Sequence, residues 1–77
     1  MEKKLSDFIL GEEGVVCKVG GEGRIRRRLF DMGITPSATI VMKKLAPLGD
    51  PMEVTVRGYE LTLRKTEAEY VIMTVKD

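Results

Sequence analysis

Seventy-seven residues, 43% of them hydrophobic, are expected to fold as a single domain over 1–77 with one core. Thirteen lysines and arginines against 12 acids leave a net charge of +1, which gives no footprint of a nucleic-acid binder. No histidine and one cysteine, Cys17, exclude an intrachain disulfide, a Cys–His nucleophile pair and a Cys/His metal cluster.

The N-terminal stretch Leu5-Ser6-Asp7-Phe8-Ile9-Leu10 reads as a short capped turn that drops Leu5, Phe8 and Leu10 onto the core. Gly14 to Val19 alternates, which predicts a strand with Val15, Cys17 and Val19 on its buried face. Gly20-Gly21-Glu22-Gly23 interrupts it. That loop matches neither the P-loop nor the Rossmann glycine pattern, and its glutamate repels phosphate, so it reads as a strand-to-helix turn.

From Gly23 to Met32 the period changes. Ile25, Leu29 and Met32 fall on one helical stripe, and Gly33 stands where a left-handed C-cap belongs, with Pro36 beyond. At about 15 Å such a helix is too short to stand alone and has to dock. Thr39 to Leu45 reads as a strand. Met52, Val54 and Val56 alternate with polar residues, as do Leu61 and Leu63 after Gly58. Thr66 to Glu69 reads as one helical turn, and Val71, Met73 and Val75 form the last apolar set. The expected architecture is mostly β: a small SH3-like barrel of about five strands with one short inserted α-helix, an OB-like barrel being the nearest rival. The expected core contains Val15, Cys17, Val19, Ile25, Leu29, Val54, Val56, Leu61 and Leu63.

The chemistry that remains is that of contact. No catalytic residue, cofactor site or metal site is predicted. Cys17 reads as a small buried hydrophobe, and the scattered carboxylates read as solvated surface. Arg24, Arg26, Arg27 and Arg28 crowd the N-terminal half of the helix, the positive end of its dipole, where each cation costs roughly 0.3–1 kcal/mol. Asp31 is placed to offset part of this through Arg27 or Arg28. Residues placed against helix energetics suit a basic patch for an acidic partner. A second feature is Ala46-Pro47-Leu48-Gly49-Asp50-Pro51, a stiff loop with an apolar residue at its tip. Rigidity there lowers the ordering cost of binding.

Arg28-Leu29-Phe30-Asp31-Met32-Gly33-Ile34, the Ala46–Pro51 loop, Val56-Arg57-Gly58-Tyr59 and Leu63-Arg64, in that order, resemble the FeoA family of ferrous-iron-transport accessory proteins. The likeness runs from about Leu5 to Val75. One departure is Ser37, where the family usually has glycine after the proline. The resemblance implies an SH3-like barrel and a non-catalytic, cytoplasmic accessory role in bacterial Fe(II) uptake. It implies as partner a FeoB-like membrane GTPase and permease, met on its cytoplasmic side. A cytoplasmic location also agrees with the absence of an apolar signal region at the N-terminus. The predicted contact residues are Arg24, Arg26, Arg27, Arg28, Pro47, Leu48, Gly49, Asp50, Arg57 and Tyr59. The alternative is an RNA- or ribosome-associated small barrel using its arginine-rich helix. A third, weaker reading is an arginine donated to the partner's GTP hydrolysis.

Overall fold

The computed structural model describes residues 1–76. In chain order it contains β1 (Glu2–Lys4), β2 (Glu13–Val19), α1 (Gly23–Asp31), β3 (Thr39–Leu45), β4 (Met52–Val56), β5 (Tyr59–Leu63), α2 (Lys65–Ala68) and β6 (Val71–Val75). Short 3-10 turns occupy Leu5–Asp7 and Pro47–Gly49. All strand pairs are antiparallel, in the order β1-β6-β2-β3-β4-β5. Residues from β2 through β6 enter one buried cluster, so the sheet curls around a single core. The strand that composition did not announce is β1, a three-residue edge on β6.

Two one-residue irregularities produce the curl. Val16 pairs with Met73 and Lys18 with Ile72, leaving Cys17 as an inserted residue. Met42 pairs with Val54 and Lys44 with Glu53, leaving Lys43 extra. Such a bulge bends its strand and resets which side chains face inward. This corrects the expected parity of β2. Val16 and Val19 are buried, whereas Val15 is half-buried and Cys17 exposed. The Cys17 thiol contacts the Glu2 carboxylate at 3.3 Å.

Val54, Val56, Leu29 and Leu63 are fully buried as expected, joined by Ile34, Ile40, Met42, Met52, Val71 and Met73. Leu61 is only half-buried, and Ile25 is exposed because the helix docks through its C-terminal end. Leu5 and Phe8 are buried, but Leu10 points to solvent, and no side chain caps the Leu5–Asp7 turn. The N-terminal segment is instead pinned by Glu12. Its carboxylate takes Lys3 Nζ at 2.8 Å and the Ile9 N–H at 3.0 Å. These two donors, the lysine first, hold its pKa below the usual glutamate range.

Candidate functional site

Helix α1 shows how the predicted contact residues divide. Its end is a Schellman motif. The Ile34 N–H bonds to Leu29 O at 3.0 Å and the Gly33 N–H to Phe30 O at 2.9 Å. Gly33 supplies the left-handed residue with φ +88°, and Leu29 and Ile34 make the accompanying apolar contact inside the core. The next turn carries Ser37 at φ +81°, so serine accepts the glycine geometry there.

The β4–β5 hairpin then locks this end in place. Val56 pairs with Tyr59 around Arg57 and Gly58, whose φ values of +50° and +87° fit a type I′ turn. From that turn Tyr59 Oη donates to Met32 O at 2.6 Å. Arg57 donates to Thr35 Oγ1 at 2.8 Å and more weakly to Gly33 O at 3.4 Å. A cation beside the last carbonyls of a helix also meets the negative end of its dipole. A Cβ at Gly33 would collide with the Tyr59 hydroxyl, so this approach requires glycine.

The arginines separate in the same way. Because α1 has nine residues, Arg28 falls in its last turn and not in a disfavoured N-terminal half. Arg28 Nε pairs with Glu67 at 2.8 Å, not with Asp31 as the helical spacing suggested. Glu67 also accepts the Arg64 N–H at 3.0 Å, tying α2 to α1. Arg26 donates to Val19 O at 3.3 Å and lies over the Phe30 ring at 4.6 Å. Arg24 and Arg27 are exposed, near a helix start that has no side-chain cap and no acid in its first turn. Among the described residues neither is paired in a salt bridge. With Arg28, Asp31 and Met32 they line an open depression of about 450 Å³.

The Ala46–Pro51 loop is likewise part anchor and part display. Asp50 Oδ1 accepts the Lys65 N–H at 2.9 Å, fixing the loop to the start of α2. The Ala46 N–H bonds to Pro51 O and the Gly49 N–H to Ala46 O. Between these ties Leu48 takes φ +69° and is 97% exposed, standing off the barrel with no core contact. Asp50 and Arg28 meet across a second groove of about 390 Å³, lined also by Pro51, Thr62, Arg64 and Glu67.

Arg26, Arg28, Asp50, Arg57 and Tyr59 are therefore bonded within the fold, while Arg24, Arg27, Pro47 and Leu48 are presented outward and Gly49 is half-buried with its N–H bonded to Ala46 O. Glu67 was not singled out by sequence, although its spacing from Arg64 is that of a helix-start glutamate reaching back to the cap. No cluster of three or more His, Cys, Asp or Glu suited to a metal occurs among the described residues. Among the described residues no helix is long and apolar enough to cross a membrane.

Comparison with known proteins places this geometry. The model of the FeoA domain matches residues 3–75. A crystal structure of an iron uptake regulatory protein, FeoA, superposes with a TM-score of 0.92 at 30% identity, covering 99% of this chain and 100% of the other. The zinc complex of FeoA from Stenotrophomonas maltophilia, described as a prokaryotic SH3 domain protein, matches with a TM-score of 0.81 at 29% identity, over 94% and 89% of the two chains. A fusion of Fe(2+) transport protein A with the Fe(2+) transporter FeoB, from Porphyromonas gingivalis, is 34% identical over 84% of this chain. The chain spans 8% of that relative's length. The fold is thus the SH3-like one, and the chain belongs to the FeoA domain family, whose members include one joined to a ferrous-iron transporter.

Proposed function

We propose that this chain is a non-catalytic, cytoplasmic accessory module of ferrous-iron uptake that docks on the cytoplasmic part of a FeoB-type transporter. The observation that carries the reading is the fusion relative, in which a homologous domain and the transporter share one polypeptide. Covalent linkage raises the effective concentration of a docking module without changing its contacts. A separate chain using the same interface has to offer it on its own surface.

Two outward features suit that task. Leu48 is an apolar tip held at positive φ, so little conformational freedom remains to be lost on contact. Arg24 is a cation displayed in the first turn, where the helix dipole opposes it, and Arg27 is exposed near the middle of the helix with no acid paired to it; an acidic partner surface would suit both. In this reading Leu48 with Pro47 and Gly49, and Arg24 with Arg27, touch the partner. Arg26, Arg28, Asp50, Arg57 and Tyr59 hold those surfaces in place.

The test measures wild type and an Arg24→Glu, Arg27→Glu double variant against the purified cytoplasmic part of a FeoB transporter and against bulk RNA at physiological salt. The expected result is transporter binding by wild type, weaker binding by the variant, and a melting temperature unchanged or slightly raised, since acids suit a helix start. RNA binding without transporter binding would overturn the reading.

A further inference from the structure

The two edges of the sheet differ. β1 is three residues long and carries Lys3 and Lys4, the short and charged form in which proteins guard an open edge. β5 is five residues long, pairs with β4 in unbroken register, and contains no lysine, proline or bulge. Val56 and Tyr59 close the hairpin, so Tyr59, Leu61 and Leu63 direct their backbone groups to β4. By the same alternation Glu60 and Thr62 direct their N–H and C=O groups outward. Both residues are exposed, and no other backbone group among the described residues meets them.

The ground beside this edge is built. The 390 Å³ groove opens at its C-terminal end, between Thr62 and Arg64 on one side and Arg28 on the other. Of its two acids, Glu67 is paired with Arg28, so that these two charges offset each other, and Asp50 is turned to the Lys65 N–H. The exposed Arg64 guanidinium is paired with no acid there, and the depression carrying Arg24 and Arg27 adjoins through Arg28. At the opposite end stands the Glu60 carboxylate, which disfavours an acid.

We infer that the β5 edge is a strand-addition site for an extended segment of another protein, carrying acidic side chains at the end that lies beside Arg64, with Arg24 and Arg27 beyond it. Backbone groups of Glu60 and Thr62 supply the register, and the arginines set the charge pattern along the segment. This deepens the docking reading above and rests on it for the natural source of the segment.

The test exploits the direction of one N–H. In Thr62→Pro the lost donor faces away from β4, so no ladder bond is removed, and proline is tolerated at such edge positions. Wild type, Thr62→Pro and Thr62→Ala are titrated with the cytoplasmic part of a FeoB transporter, with thermal melts alongside. The expected result is a loss of at least about tenfold for Thr62→Pro and little change for Thr62→Ala, both variants folded. Undiminished binding by Thr62→Pro would overturn the inference. If wild type fails to bind the transporter, the docking reading fails by itself. A synthetic strand peptide of alternating threonine and valine ending in two glutamates then serves as the probe. Protection of the Glu60 and Thr62 amides from hydrogen exchange in wild type, lost at Glu60 in Thr62→Pro and weaker for a peptide ending in two lysines, supports the inference. No protection overturns it. Concentration-dependent self-association of wild type that Thr62→Pro abolishes would assign the edge to a second copy, which also overturns it.

Discussion

Both ends of β4 are reached through a residue that is not glycine yet has positive φ: Leu48 in the loop before it and Arg57 in the turn after it. Such a conformation costs of order 1–3 kcal/mol and persists where the surroundings hold it. Around Arg57 the return is visible inside the fold. Arg57 and nearby Tyr59 bond Thr35 and the Met32 and Gly33 carbonyls just past the end of α1, fixing the helix against the barrel. Around Leu48 no such return exists, since its side chain is 97% exposed while Asp50 and the loop's own backbone bonds do the anchoring. One turn faces inward and is used by the fold; the other faces outward, and the docking proposal rests on it. The comparison separates two motifs that sequence presents as alike.

The sharpest way to break this division is at Gly33. Alanine there must take φ near +88° and push against the Tyr59 hydroxyl. A left-handed residue alone costs roughly 1–2 kcal/mol, so Gly33→Ala should lower stability by about 2 kcal/mol or more. Denaturant unfolding measures it, and an unchanged midpoint would show that the helix end is not clamped as described. Tyr59→Phe removes one hydroxyl and should cost about 0.5–1.5 kcal/mol. A double-mutant cycle of Tyr59→Phe with Gly33→Ala should be non-additive, because phenylalanine relieves the collision. Strict additivity would place the two residues in independent environments.

A smaller effect concerns the N-terminal segment. The Glu12 carboxyl titrates lower in the folded chain than in the unfolded one, chiefly through Lys3 and then the Ile9 N–H. The folded state therefore holds this stabilisation above the ordinary carboxylate range and loses it as pH falls through the lowered value. Unfolding curves of wild type and Glu12→Gln should converge as the solution is acidified below that range. Curves that stay parallel would show that the Lys3–Glu12 pair contributes nothing.

Local chemistry was legible wherever one residue type decides it. Gly33 with Pro36 beyond it announced the helix end, and the alternation of Met52, Val54 and Val56 announced a half-buried strand. Parity in β2 was not legible, because Cys17 is an ordinary member of an alternating run until its pairing with β6 makes it the inserted residue. The partner of Arg28 was hidden for a similar reason. Asp31 stands at helical spacing, but Glu67 is brought in by the docking of α2, which no local pattern encodes. Ile25 followed the helical stripe and still came out exposed, since only the C-terminal part of α1 reaches the core. Of the predicted contact surface, sequence singled out the segments but could not say which side chains the fold itself uses.

The most direct measurement is the affinity of Leu48→Asp for the cytoplasmic part of a FeoB transporter, taken beside its melting temperature. Leu48 makes no core contact, so stability should change by no more than about 0.5 kcal/mol. Binding should weaken by about tenfold or more, because a charge replaces the apolar tip of a rigid contact. Wild-type affinity in Leu48→Asp, or a melt that collapses with the substitution, would contradict the assignment of this loop to contact and of the Arg57 turn to the fold.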